Sequence, residues 1–137
     1  RTFNMVVADS RDAFWLRHAD DSGKAAVEAR PIGAGLSMIA SGEIDESGMM
    51  RIAHYRPRFT AASAPDPARG DWSDWENLLS EEGDGPDRAL RFDTDRGFAT
   101  VSSALIALPN HQKPELEPHF RFRSYWPSAT SWTDVTA

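Results

Sequence analysis

The sequence predicts an α+β domain in which antiparallel sheets are accompanied by helices. Three observations lead to this class. Short apolar segments separated by turn residues fill roughly the first forty positions, two segments with helical periodicity follow, and two more strand-like segments come after position 97. This order is typical of a layered α+β architecture. The chain has 137 residues, which is enough to bury the core of one ordinary domain.

A meander of four strands is predicted at the start of the chain. The expected strands are residues 2–8, 13–19, 25–30 and 35–41. The segments 9–12 and 20–24 are rich in Asp and Ser, whose side chains favour tight turns by bonding to nearby backbone groups. Pro31 should close the third strand because it has no N–H to donate, and the fourth strand follows a bend at 33–35.

Residues 45–55 are predicted to form the first helix. Three apolar residues recur there at helical spacing: Met49, Ile52 and Ala53. Asp45 or Ser47 would cap its N-terminus, since both side chains accept hydrogen bonds from backbone N–H groups. The helix should stop before Pro57, whose ring disfavours helical geometry at the preceding residue.

The clearest helix is predicted over residues 71–82, after a Pro-rich surface connection at 60–70. Asp71 is its expected N-cap, and Asp74 lies in the first turn, where the helix dipole favours negative charge. One apolar stripe runs along it: Trp72, Trp75, Leu78 and Leu79.

Two further strands are predicted at residues 98–108 and 119–126. The segment 110–118 between them is polar and holds two prolines, so it should be a loop, and the tail 127–137 should be loose. Aromatic and basic residues alternate in the last strand, as expected for a half-exposed strand: Phe120, Arg121, Phe122 and Arg123.

The composition excludes several classes of protein. A net charge of −6 argues against nucleic-acid binding, which needs a basic surface. No apolar run reaches the length of a membrane span, and no signal-peptide pattern is found. The chain has no Cys, which removes disulfides, thiolate nucleophiles and Cys-ligated metals. The lack of Cys is compatible with a reducing compartment, and a cytoplasmic location is expected. It starts at Arg1 without Met, which favours a fragment or a processed chain.

Motifs for catalysis or metal binding are weak, and neither a metal site nor a cofactor is predicted. The histidines are too scattered for a helical zinc pair: His18, His54, His111 and His119. Neighbouring carboxylates fall in turns or at element ends, where a solvated face is favoured over acid–base chemistry. The arginines of 51–59 would either bind an anionic ligand or form the solvated side of a helix, and the second is favoured.

Three hydroxyl side chains interrupt the apolar segment 98–108. Thr100 and Ser102 would lie on one face of this strand and Ser103 on the other. No G-x-S-x-G elbow surrounds the serines, and a nucleophilic serine needs a neighbouring base. The hydroxyls are therefore expected to line a pocket or to bond to neighbouring backbone, and no catalytic residue is predicted.

Three segments have a recognisable pattern in a fixed order. They are FNMVVADSRDAFWLRH at 3–18, VEARPIGAGLSMIASGEID at 27–45 and GFATVSSALIALP at 97–109. Together they resemble the second half of the NRDE family, the relatives of transport and Golgi organisation protein 2. Four positions match the family pattern: Asn4, Thr100, Ser102 and Ser103. Met38 departs from it, because the family has Asn after the corresponding Leu-Ser.

The resemblance implies an αββα sandwich of the N-terminal-nucleophile hydrolase type, in which the first residue of the mature chain supplies nucleophile and base. Family members look like amide hydrolases, with a Cys near their start and an Asn-Arg-Asp-Glu signature soon after. Neither feature is present here. Residues 1–137 would therefore be a single domain or the C-terminal half of a larger αββα domain. In the second case the chain would need an N-terminal half or second chain and would supply core and pocket wall.

A function of another class stays open beside this one. The chain would then be a non-catalytic α+β binding or interaction domain, acting in haem or lipid handling or on a protein partner. Its contact surface would be the Trp-rich helix or the strand at 119–126. Enzyme activity is expected only if a Cys-bearing N-terminal half exists.

Overall fold

The computed structural model describes residues 2–19, 26–83, 85–94 and 97–135. Within them the chain forms two three-stranded antiparallel sheets and two α-helices, which confirms the α+β class. The strands are β1 (Phe3–Ala8), β2 (Ala13–His18), β3 (Val27–Pro31), β4 (Ser102–Ala107), β5 (His119–Ser124) and β6 (Thr133–Asp134). The helices are α1 (Met50–Ala61) and α2 (Ser73–Ser80), with a short 3₁₀ helix at Pro67–Arg69 between them.

The first sheet has the order β1-β2-β3, and the hairpin predicted around residues 9–12 is confirmed. Asp9 makes this turn: its carboxylate accepts hydrogen bonds from the backbone N–H groups of Asp12 at 2.9 Å and Arg11 at 2.7 Å. These bonds favour the ionised carboxylate and so lower the pKa of Asp9. The turn predicted at 20–24 lies outside the described residues.

The fourth strand predicted at 35–41 is wrong, because this segment has bends and no ladder partner. Its backbone groups bond elsewhere. The N–H of Met38 donates to the Asp45 carboxylate at 2.8 Å, and the carbonyl of Met38 accepts from the N–H of Asp45 at 2.9 Å. Asp45 is thus used to fold this loop and does not cap α1, whose N-cap position is Met49 without a side-chain bond.

Helix α1 begins later than predicted and continues through Pro57 to Ala61. Proline inside a helix removes one backbone bond and costs about 3 kcal/mol, so contacts beyond it must offset that cost. Two are present. Arg58 forms a bidentate ion pair with Glu81, and the ring of Phe59 packs edge-on against Trp75 with centroids 5.0 Å apart.

Helix α2 is shorter than the predicted 71–82, and its N-cap position is Trp72 instead of Asp71. Asp71 lies just outside and accepts hydrogen bonds from the hydroxyl and backbone N–H of Ser73, at 2.8 and 3.2 Å. The predicted apolar stripe does face the protein interior, since Trp72 and Leu78 are buried.

The second sheet has the order β4-β5-β6. Its first strand starts at Ser102 and not at residue 98, and the tail expected to be loose contributes β6. The alternation predicted in β5 is present. The arginine side packs on α2, where Arg121 donates to Glu76 at 2.7 Å and Arg123 to the hydroxyl of Ser80 at 2.7 Å. The loop predicted at 110–118 is confirmed.

The core lies between the helices and one face of the second sheet, with a separate centre at β2. The buried apolar residues of the described part are Trp15, Ile52, Tyr55, Trp72, Leu78, Ala89 and Leu105. This is a small core for the length of the chain, since a domain of this size normally buries most of the surface of its unfolded chain. Among the described residues, none of the helices has the length and apolar character that a bilayer crossing requires.

Candidate functional site

The structure places the four candidate pocket residues in or beside two different sheets. Asn4 lies on β1, Ser102 and Ser103 begin β4, and Thr100 precedes β4 by two residues. Asn4 lines a cavity of about 510 Å³ beside the first sheet, whereas Thr100 lines another of about 490 Å³ beside the second. Ser102 and Ser103 line neither of these two cavities. The four residues therefore do not meet in one pocket.

Asn4 joins β1, β2 and the loop that follows β3. Its side-chain Nδ2 donates to the carbonyl of Ala40 at 2.7 Å, and its Oδ1 accepts from the indole Nε1 of Trp15 at 3.1 Å. Trp15 is only 1% exposed, so this bond satisfies an N–H that water does not reach. Both polar atoms of the Asn4 amide thus have protein partners, and the residue holds the cavity wall in place.

Charged side chains surround this first cavity and the neighbouring sheet face. Arg17 lines the cavity and pairs with Glu43, which also binds Arg30 at 2.9 Å. The hydrogen bond that Arg30 donates to Glu28 and the charge of Glu43 raise the pKa of Arg30. The Arg30 guanidinium lies 5.4 Å from the ring centroid of Trp15, within the range of a cation–π contact. This network ties the loop after β3 to the sheet.

Thr100 bonds to neighbouring backbone, which was one of the two expectations for the hydroxyls. Its Oγ1 donates to the carbonyl of Leu90 at 3.1 Å and accepts from the N–H of Phe92 at 3.3 Å. Thr100 is not part of β4, so it does not share a strand face with Ser102 as predicted. It holds residues 90–92 against the start of β4.

The cavity lined by Thr100 combines aromatic and charged side chains. Arg91 forms an ion pair with Glu82 at 2.8 Å, and its guanidinium lies 4.6 Å from the ring centroid of Tyr125. Trp126 lies at the rim and is 73% exposed, the most exposed large apolar side chain among the described residues. Exposed tryptophan next to arginine and tyrosine is the composition found at the centres of protein interfaces.

The two serines face opposite sides of β4. Ser103 is half-buried on the helix side, and its Oγ accepts a hydrogen bond from the Tyr125 hydroxyl at 3.2 Å. Ser102 is exposed on the other side of the sheet, in register with Ser124. Neither lies next to a histidine or carboxylate in the described contacts, so no base activates a serine here.

The arginines of α1 are partly exposed, as predicted for the solvated side of a helix, and each also pairs with a neighbouring group. Arg51 donates to the carbonyl of Ala89 at 2.7 Å, and Arg56 pairs with Asp45 at 2.8 Å. The hydrogen bonds from Arg58 lower the pKa of Glu81, whose bidentate pairing keeps it ionised at neutral pH. These contacts fix α1 to the loops around it, and none of the three guanidinium groups is free for an anionic ligand.

Metal chemistry has no support in the described part of the chain. No group of three or more His, Asp or Glu side chains comes close enough there to hold an ion. Among the described residues the carboxyl groups with a shifted pKa are Asp9, Asp71 and Glu81, and in each the pKa is lowered by hydrogen bonds from neighbouring residues. A general acid or base would need the opposite shift, toward neutral pH.

The most unusual feature of the described structure is an uncovered apolar face on the first sheet. We call this the first open face; its members alternate along β1, β2 and β3: Phe3, Met5, Val7, Phe14, Leu16 and Val27. Five of them are between 41% and 53% exposed, and only Leu16 is partly covered. A sheet face of this composition is normally packed against another layer.

The second sheet has a similar surface on the side away from α2. The second open face consists of Ala104, Ile106, Phe120, Phe122 and Val135. Ile106 is 65% exposed, and a shallow cavity of about 490 Å³ runs beside Phe120 and Val135. The second sheet thus has one covered and one uncovered side, whereas the opposite side of the first sheet buries Trp15 but leaves Val6 53% exposed.

The surface area of the chain agrees with these open faces. The accessible surface is 9763 Å² for 15.2 kDa, whereas a folded monomer of this mass exposes about 7,100 Å². The excess is about 2,700 Å², several times the roughly 800 Å² that one partner loses in a standard interface. The sequence analysis did not predict where these faces lie. The segments that form β1 and β4 contain no charged residue, and this feature could have indicated them.

Comparison with known proteins gives no match, whether to a family model, to a curated protein or to a solved structure. The functional assignment therefore depends on the residues and surfaces described above.

Proposed function

We propose that this chain is the C-terminal portion of an NRDE-type protein that resembles N-terminal-nucleophile amide hydrolases. It contributes core and pocket wall to an αββα sandwich, and the nucleophile comes from a Cys-bearing N-terminal half. The observation that carries the proposal is the pair of open faces. Exposed apolar residues occupy one side of each sheet, while the other side contacts α2 in the second sheet and the loop at Ala40 in the first.

The layer order supports the proposal. In an αββα sandwich each sheet packs a helix layer on its outer side and another sheet on its inner side. The second sheet has α2 on its arginine side, where Arg121 and Arg123 bind the helix. Its other side, with Ile106 and Phe120, corresponds to an inner face that lacks its neighbour.

The resemblance segments coincide with the elements that build these faces. Residues 3–18 form the hairpin β1–β2, and residues 97–109 contain β4. The side chains that match the family pattern act mainly as supports: Asn4 holds β1 to the loop at Ala40, and Thr100 holds residues 90–92. The chain therefore shapes the pocket and leaves proton transfer to the other half.

The gene and the intact assembly test this proposal. We expect the coding sequence upstream of Arg1 to encode a Cys near its start and an Asn-Arg-Asp-Glu segment. Native mass spectrometry of the complete gene product should show one assembly containing both halves, and this assembly should hydrolyse small amide substrates. Replacing that Cys by Ala should abolish hydrolysis without changing the assembly. A reading frame whose start codon directly precedes Arg1, with a stable monomer of about 15.2 kDa as its product, would contradict the proposal.

A second candidate is a non-catalytic domain that binds a protein partner through the end of β5. The observation in its favour is Trp126, 73% exposed at the rim of the cavity that holds Arg91 and Tyr125. The Trp-rich helix is a poor contact surface, because Trp72 is buried. Trp126→Ala separates the two candidates: it should weaken partner capture strongly in a binding domain, and change amide hydrolysis little in a hydrolase half.

A further inference from the structure

Each sheet has one edge strand that is protected against further pairing and one that is not. In the first sheet β3 carries Glu28, Arg30 and Pro31, and charges and proline are common devices against edge pairing. In the second sheet β6 has only two residues, which is another such device. The opposite edges, β1 and β4, are six residues long and have no charged residue and no proline.

The hydrogen-bond register shows which backbone groups these edges expose. The N–H of Tyr125 donates to the carbonyl of Val101 at 2.8 Å, which sets the alternation of bonded pairs between β4 and β5. The N–H and C=O groups of three residues then point away from β5: Ser102, Ala104 and Ile106. The same alternation applies to β1, where the N–H of Asp9 donates to the carbonyl of Asp12 and so marks a bonded pair between β1 and β2. The N–H and C=O groups that point away from β2 are therefore those of Asn4, Val6 and Ala8.

These outward backbone groups have no hydrogen-bond partner in the described part of the chain. A row of N–H and C=O groups spaced along a strand is satisfied in full by another strand, and neither a small ligand nor a lipid surface offers that pattern. The open faces adjoin the same two strands, since Met5 and Val7 lie on β1 and Ile106 on β4. The missing neighbour therefore has both strand edges and an apolar sheet face.

We propose that β1 and β4 are the edges at which the two sheets continue, and that the strands added there belong to the Cys-bearing N-terminal half. This rests on the proposed function and deepens it by naming the contact. The area supports a large occupant: the excess of about 2,700 Å² on this chain alone is about three times the roughly 800 Å² that one partner loses in a standard interface. The protected edges β3 and β6 remain the outer edges of the complete sheets.

Amide hydrogen exchange on the complete gene product, read residue by residue by NMR, tests the proposal. The outward amides of β1 and β4 should exchange at least about 100-fold more slowly than unstructured amides. Val27 and Ala29 are the internal control, because their N–H groups point outward from β3 by the same alternation and should exchange nearly freely. Equal exchange at β4, β1 and β3 overturns the proposal.

A matched pair of variants gives a second measurement. Ala104→Pro and Ala29→Pro each remove an outward N–H from an exposed alanine near the middle of an edge strand. We expect Ala104→Pro to abolish the slow exchange along β4, and Ala29→Pro to leave it unchanged. If both variants leave the β4 amides slow, strand pairing at that edge is refuted.

The outcomes separate this inference from the function on which it rests. A gene that encodes the Cys-bearing half but gives fast exchange at β1 and β4 refutes the edge assignment and leaves the proposed function standing. A gene that encodes no such half removes the proposed function and the assigned occupant together, and slow exchange would then report a second copy of this chain.

Discussion

Replacing Asn4 by alanine should destabilise the protein by about 3–4 kcal/mol. The substitution removes the bond to the carbonyl of Ala40 at 2.7 Å and leaves the indole N–H of Trp15 without its acceptor at 3.1 Å. A net hydrogen bond contributes about 1 kcal/mol, and a buried donor left unsatisfied costs about 1–3 kcal/mol. The upper part of that range applies to the indole, because Trp15 is 1% exposed.

Urea unfolding at pH 7, followed by far-UV circular dichroism, measures this cost. Asn77→Ala is the matched control, since Asn77 is an exposed asparagine on α2, and it should change stability by less than about 0.5 kcal/mol. Trp15→Phe removes the indole N–H that donates to the side-chain oxygen of Asn4. Combined with Asn4→Ala, it should cost about 1 kcal/mol less than the sum of the two single changes.

Additivity within about 0.3 kcal/mol would refute this reasoning, because it would mean that Asn4 and Trp15 do not interact. A loss of amide hydrolysis at unchanged stability would refute it in another way, since Asn4 would then act on substrate and not on the fold.

Three further predictions follow from the core, the ion pairs and the surface. Ile52→Ala should lower the free energy of unfolding by about 3 kcal/mol in the same urea assay, because Ile52 is 1% exposed and truncation leaves a cavity. Glu81→Gln should cost about 0.5–1 kcal/mol at pH 7. Arg58 lowers the pKa of Glu81, so the pair stabilises the fold above the usual carboxyl pKa and is lost as the pH falls through the lowered value. The difference between wild type and Glu81→Gln should therefore disappear in acid, and a constant difference from pH 7 to pH 2 would contradict it. Trp126→Ser should leave stability within about 0.5 kcal/mol of wild type, and a larger loss would show that this exposed ring packs in the fold.

Local patterns in the sequence were sufficient for the elements that depend on neighbours along the chain. The hairpin at 9–12 follows from Asp9, which bonds to residues two and three positions later. The stripe of α2 follows from helical spacing, and the alternation of β5 from strand spacing. Each of these signals is complete within about ten residues.

Elements that depend on distant partners were predicted wrongly. The segment 35–41 has the apolar character of a strand, but its carbonyl at Ala40 bonds to Asn4, 36 residues earlier. Helix α1 passes Pro57 because Arg58 reaches Glu81, 23 residues later. Neither contact is visible from spacing, so local propensity gave the wrong element.

The candidate pocket residues lie apart because their positions also depend on contacts between distant parts of the chain. Asn4 and Thr100 both line cavities, as the sequence predicted for pocket residues, but the cavities belong to different sheets. The family resemblance grouped them by motif order, and motif order does not give distance.

The sequence by itself determined the α+β class and the lack of Cys side chains in residues 1–137, because these depend on periodicity and composition. Only the tertiary structure decided which side of each sheet is covered. Phe120 and Arg121 alternate in sequence, and the usual expectation buries the aromatic side. The structure instead packs the arginine side on α2 through Glu76 and leaves Phe120 on an open face. The physical reason is that alternation fixes two faces of a strand, whereas the neighbouring layer decides which of them is buried.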